Sequence, residues 1–161
     1  HTIFGAITRE IENIGVAMLD ARVFLDSQLS TPGLMTPGKI KAKQGHIDYG
    51  IRMAKEVARL DIGQGVVVRK GTVLSVEAFE GTDDMLGRAN KYKTDQLIFV
   101  KCAKHEQNPH FDWPVFGDKT LESMKASGIT TAALEADRVV MLHKDQLLQK
   151  AAKAGIELIG F

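Results

Sequence analysis

Cysteine is nearly absent. Cys102 is the only one in 161 residues, so no internal disulfide can staple the fold, and a reducing compartment suits the chain. Its place in an apolar run marks it as a small buried hydrophobe rather than a nucleophile. An excess of one charge is missing too: a net charge of +1 and a pI near 8.0 give no overall field of the kind nucleic-acid binders carry, so no nucleic-acid partner is expected. No apolar run approaches the ~20 residues that span a bilayer. The opening His1-Thr2-Ile3 resembles neither a signal peptide nor an initiator methionine, and the expectation is a domain cut from a longer protein. Familiar site motifs are lacking as well. There is no GxGxxG and no GxxxxGK phosphate loop; His46, His105, His110 and His143 form no HExxH pair; Ser75 lies in a strand rather than at a GxSxG elbow. These absences weigh against a phosphate loop, a zinc site and a serine hydrolase.

What remains is ordinary globular material, 44% hydrophobic and 25% charged, enough for one domain with a sizeable core. Apolar residues at helical spacing predict a helix from Thr2 to Asn13 and another from His46 to Leu60. Val16 to Leu19 and Val23 to Leu25 read as strand material, and Ser27 to Gln44, with Pro32-Gly33 and Pro37-Gly38, as a long loop. Val66 to Val68 and Val73 to Val76 flank Arg69-Lys70-Gly71-Thr72 and predict a hairpin. Further strands are expected at Leu97 to Val100, Thr130 to Leu134, Val139 to Leu142 and Ile156 to Ile159. Helices are expected at Met85 to Asn90, Lys119 to Ala126 and Lys144 to Lys153. Strand and helix alternate, so the class is α/β, with α+β as the alternative: a mixed sheet flanked by helices around a central hairpin.

The hairpin empties into acid. Glu77, Glu80, Asp83 and Asp84 crowd one strand-to-helix corner, with Gly81 for the turn and the Thr82 hydroxyl as expected cap of a helix starting at Asp83. The helix dipole favours Asp83 and Asp84; Glu77 and Glu80 must either splay into water or share a cation. Lys101 and Lys104 leave the buried strand at Leu97 to Val100 just before HEQNPHFDWPVFG, where Asp112 is lodged between Phe111 and Trp113. Lysines and carboxylates around one pocket suit phosphoryl chemistry, but an ion-paired strand end accounts for the lysines equally well, and aromatics are commonly core.

DIGQ at Asp61 to Gln64, VEAxEGTD at Val76 to Asp83, KxxK at Lys101 to Lys104 and xFDxPxxG at His110 to Gly117, in this order, resemble the carboxyl-terminal domain of the UDP-2,3-diacylglucosamine pyrophosphatase family of lipid A biosynthesis. The resemblance implies hydrolysis of UDP-2,3-diacylglucosamine to UMP and 2,3-diacylglucosamine 1-phosphate (lipid X) with Mg²⁺. It also implies a site in the cleft between this domain and an amino-terminal one and a cytoplasmic place peripheral to the inner membrane surface; a homodimer is a separate expectation. Carried across, Asp112 is catalytic, and Lys101, Lys104, Gly81, Thr82 and Gln64 bind substrate. Glu80, Asp83 and Asp112 would hold the metal. His110 stands where the family commonly has Arg, and His105 where it has Pro. Two other readings stay open: a noncatalytic nucleotide-sugar or lipid-binding module of the same fold, and a domain that mainly dimerises.

Overall fold

The computed structural model describes residues 3–19, 22–92, 94–104 and 113–161. Helix α1 (Ile3–Asn13) ends at Gly15, whose φ of +83° is cheap only for glycine. A short helix α2 (Arg22–Leu25) and a 3₁₀ turn (Asp26–Gln28) lead to strand β1 (Gly33–Leu34) and the long helix α3 (Gln44–Arg59). The hairpin β2 (Gly65–Arg69) and β3 (Thr72–Val76) follows, then α4 (Thr82–Asn90) and β4 (Ile98–Lys101). The chain closes with β5 (Val115–Phe116), α5 (Asp118–Ala126), β6 (Thr131–Leu134), β7 (Val140–Met141), α6 (Lys144–Lys153) and β8 (Glu157–Gly160).

Six strands form one mixed sheet in the order β1-β8-β6-β4-β2-β3. β8, β6 and β4 run parallel, while β2 is antiparallel to both β4 and β3 and β1 is antiparallel to β8. The hairpin turns through Lys70 (φ 47°) and Gly71 (φ 82°), the double positive φ that a two-residue turn needs to match strand twist. It occupies one edge, with β3 outermost. β5 and β7 pair separately in a parallel ribbon.

Strand alternation sorts the core into two layers. Val66, Val68, Ile98, Val100, Ala133 and Ile159 face Ile47, Ala54 and Ala58 of α3. Val67, Phe99, Ala132, Leu134 and Leu158 face the other way, onto Met85 and Leu86 of α4, Met124 of α5 and Leu147 of α6. Helices cover both faces, the α/β arrangement expected. Gly50 lets α3 sit close to the sheet, since a Cβ there would lie 2.7 Å from Val100 Cγ2 and 3.0 Å from Val68 Cγ2.

Two expectations change. The stretches expected as strands before residue 26 are not strands: Val16 to Leu19 carries no regular structure, and Arg22–Leu25 is helical. A strand needs a ladder partner, and the free edge of β8 is taken instead by β1, with Gly33 opposite Gly160 and Leu34 opposite Ile159. Phe24, lacking such a neighbour, is 71% exposed. The segment from Ser27 to Gln44 therefore carries a sheet strand inside what reads as loop. Gly160 makes room for it, as a Cβ there would meet the Thr31 carbonyl oxygen at 1.9 Å.

Candidate functional site

Because β2 is antiparallel to both neighbours, β3 and β4 end at the same edge, on either side of Gly65. Gly65 stands opposite Lys101, the Glu77 N–H donates to the Gly65 carbonyl (2.8 Å) and the Cys102 N–H to the Gln64 carbonyl (2.9 Å). The last residues of the two strands thus clasp the first of β2. Glycine is required at both ends of this clasp. A Cβ on Gly63 would fall 2.0 Å from the Glu77 carbonyl oxygen, and one on Gly65 would fall 2.7 Å from Glu77 Oε2 and 3.0 Å from the Phe99 ring. The glycines of DIGQG serve close approach of Glu77, as a tight turn into the hairpin.

Inside the clasp sits a buried polar cluster. Lys101 Nζ donates to Thr82 Oγ1 at 2.6 Å, and that hydroxyl donates onward to Glu77 Oε1 at 2.7 Å. Lys101 Nζ and Glu77 Oε2 are 3.6 Å apart, an ionic contact between side chains only 5% and 12% exposed. Burial pulls the Lys101 ammonium below its ordinary 10.5, and the Glu77 carboxylate opposes that loss. Among the described residues, Glu77 Oε2 in the cluster and Gln64 Nε2, on the residue before Gly65, are buried with no hydrogen-bond partner. Thr82 is the first residue of α4, not its cap: Gly81 (φ 86°) holds the N-cap position and no side chain caps the helix. The pull of Lys101 and Glu77 turns the hydroxyl into the cluster instead.

The other expected residues lie around it. Glu80 is bound by Arg88, which also donates to the Val76 carbonyl (2.6 Å). Asp83 pairs with Lys119 (2.9 Å) and accepts from Ser123 Oγ (3.3 Å). Lys104 reaches Asp61 (2.6 Å) at the surface of the preceding loop, and this hydrogen bond lowers the Asp61 carboxyl below its usual range. Among the described residues, then, Lys101, Thr82 and Glu77 come together at the corner beside Gly81, with the Gln64 backbone at its edge; Glu80 and Asp83 are engaged by basic partners of their own. Asp112, His105, His110 and Phe111 lie outside the described residues.

Whether Mg²⁺ fits can be asked of the described donors. No three His, Cys, Asp or Glu side chains converge among them, and Glu80 and Asp83 each hold a cationic side chain already. The described carboxylates alone do not form a magnesium cage. Cys102 is buried and its thiol is pushed up to about 11, first by burial, so it is inert.

Two side chains matter that sequence reasoning did not single out. Glu77 was one of four crowded acids until the fold set Lys101 beside it. Glu135, just after β6, accepts from the Ala103 N–H (2.8 Å) while its own N–H donates to the Lys101 carbonyl (3.0 Å), which fixes the chain as it leaves β4. Lys55 neutralises it at 2.5 Å. The available signal was positional: an acid following a fully buried strand, as Lys101 ends one.

Comparison with known proteins agrees with the resemblance in the motifs. A family profile described as "LpxI C-terminal domain" matches residues 31–159. The UDP-2,3-diacylglucosamine pyrophosphatase LpxI of Caulobacter vibrioides is 34% identical over 134 residues, covering 76% of this chain and 48% of that protein. The chain thus spans about half the length of the curated relative it matches. A crystal structure of a diaminohydroxyphosphoribosylaminopyrimidine deaminase/5-amino-6-(5-phosphoribosylamino)uracil reductase from Thermotoga maritima aligns over 73% of this chain and 37% of its own, at 19% identity and a TM-score of 0.44, too loose to bear on the fold or the site.

Proposed function

The chain belongs to the LpxI C-terminal domain family, and on that premise we propose that it forms the diphosphate-holding half of a UDP-2,3-diacylglucosamine pyrophosphatase of lipid A biosynthesis. The reaction is hydrolysis to UMP and 2,3-diacylglucosamine 1-phosphate. The observation that carries this reading is the buried Lys101 ammonium at the shared end of β3 and β4, held by Thr82 and offset by Glu77. A cation in a water-poor corner attracts a diphosphate more strongly than one in bulk solvent.

In this reading Lys101 takes a phosphate oxygen with a free ammonium N–H. Gln64 Nε2 offers a second donor, and the uncapped first turn of α4 at Gly81 and Thr82 adds backbone N–H groups. Lys104 leaves Asp61 for the second phosphate. The oxygen of a water forms a bond to one phosphorus, the bridging P–O bond breaks, and the other phosphate departs with its charge neutralised by the lysines. Asp112 is the catalytic carboxylate. Mg²⁺ is the cofactor the family resemblance implies, and bound, it would neutralise part of the diphosphate charge. The active enzyme needs an amino-terminal domain to close the cleft, and it works at the cytoplasmic surface of the inner membrane, where its amphiphilic substrate lies. No helix among the described residues is long and apolar enough to cross a membrane.

The test measures UMP release from UDP-2,3-diacylglucosamine by the full-length protein, with Asp112→Asn and Lys101→Met variants and with EDTA. We expect either substitution to lower kcat/KM by at least about a hundredfold, in line with loss of an electrostatic catalytic group. Unchanged UMP release in both variants overturns the assignment, and no release by any form, with substrate still bound, gives the noncatalytic binding module instead.

A further inference from the structure

We propose that a second ligand site lies at the far end of the sheet from Lys101: a cavity that takes a small hydroxylated phosphate monoester, its phosphate among Lys41, Lys43 and His46 and a hydroxyl on Glu157. The three parallel strands begin here, with Ile98 opposite Thr131 and Thr131 opposite Glu157, whereas Lys101 marks where β4 ends. Between these strand starts and the segment leading into α3 is a cavity of about 290 Å³, lined by Lys41, Lys43, His46, Gln96, Thr131 and Glu157 among others. That volume is at the small end for ligand pockets.

Glu157 carries the argument. It is 8% exposed, yet no cationic side chain among the described residues pairs with it; its partners are the Lys41 backbone N–H (2.8 Å) and the Thr131 hydroxyl (3.1 Å). A buried carboxylate is ordinarily matched by a cation or a full set of donors, and two neutral donors leave half of its acceptor positions open. Meanwhile the basic side chains that line the cavity, Lys41, Lys43 and His46, have no carboxylate partner among the described residues. Acceptor and cations thus share one hollow without neutralising each other. A ligand with an anion at one end and a hydroxyl donor at the other satisfies both. A divalent cation does not, because no three acidic, His or Cys donors gather there or elsewhere among the described residues.

The experiment is an NMR titration of the 161-residue chain with ribose 5-phosphate, UMP and inorganic phosphate in separate arms. It uses the wild type, Lys43→Glu, Glu157→Gln and Lys101→Met, the last removing the diphosphate corner. The proposal expects saturable amide shifts at residues 41–46, 96–98 and 130–131 with Kd of order 1 mM, weakened about tenfold by Lys43→Glu and retained in Lys101→Met. Glu157→Gln should erase the preference for ribose 5-phosphate over inorganic phosphate. Tighter UMP binding makes the ligand a nucleotide; tighter ribose 5-phosphate binding makes it a sugar phosphate. The site is refuted by shifts confined to the surroundings of Gln64, Thr82 and Lys101, by no saturation up to about 10 mM, by equal binding of inorganic phosphate, or by an indifferent Lys43→Glu.

Discussion

Glu77→Gln tests the electrostatic account of the corner most directly. At 3.6 Å, two unit charges attract with about 4–5 kcal/mol when the effective dielectric is near 20, and that is the gross support Glu77 lends to Lys101. Replacing it by an isosteric amide keeps the Thr82 contact but strands a buried ammonium, and removing one partner of such a pair typically costs about 3 kcal/mol or more. Lys101 has an escape, because it can release its proton. Its folded pKa already lies below 10.5 through burial, so the folded state binds fewer protons than the unfolded one, and this group's contribution to stability rises with pH up to 10.5. Without Glu77 the folded pKa falls further, and the rise begins at lower pH. The stability gap between wild type and variant should therefore be widest near pH 7, about 2–4 kcal/mol, and should shrink by at least half near pH 10. Urea unfolding followed by circular dichroism at both pH values measures it. Lys101→Met in the same background should recover most of the loss. A gap that stays constant with pH, or below about 0.5 kcal/mol throughout, would falsify the pairing as the reason Lys101 tolerates burial.

Gly65→Ala should destabilise the domain by about 2–3 kcal/mol, because its methyl group would stand 2.7 Å from Glu77 Oε2 and 3.0 Å from the Phe99 ring; thermal unfolding gives the number, and a Tm within a degree of wild type would count against the clasp. Cys102, with its thiol pushed up to about 11 and its side chain buried, should react with a thiol reagent near pH 8 at least about a hundredfold more slowly than the same chain in denaturant; equal rates would place the thiol at the surface.

How much of this was legible beforehand follows from where each signal is encoded. The hairpin was readable because Lys70-Gly71 lies between two β-branched runs, a local pattern with local consequences. Helices α3, α5 and α6 were readable from their period and their closing residues. β1 was not, because two residues starting at the glycine of Pro32-Gly33 become a strand only when β8 offers an edge. Val16 to Leu19 shows the converse, since strand propensity is a weak preference that the surrounding fold overrides, and the stretch carries no regular structure. At the site, the pairing of Lys101 with Glu77 depends on β2 lying between β3 and β4, a tertiary fact that no spacing along the chain reports. Thr82 shows the same limit. Its place before a helix predicts a cap, and only the buried ammonium across the clasp diverts it.

The geometry of the cluster also bears on how a buried lysine can serve an incoming phosphate at all. A carboxylate in direct hydrogen-bond contact would support the ammonium charge but occupy a donor. At 3.6 Å Glu77 still supplies most of the attraction, since Coulomb energy falls only as the inverse of distance, whereas a hydrogen bond has all but vanished at that separation. Thr82 accepts from Lys101 and donates its own O–H to Glu77, so the three side chains form a hydrogen-bonded chain rather than a closed pair. An ammonium has three N–H donors, and Thr82 takes one of those of Lys101. Glu77 Oε2 is buried in this cluster with no hydrogen-bond partner among the described residues, an acceptor position that a ligand's hydroxyl or its water would fill. A corner assembled only to stabilise the fold gains nothing from leaving the Glu77 Oε2 acceptor open beside a buried ammonium.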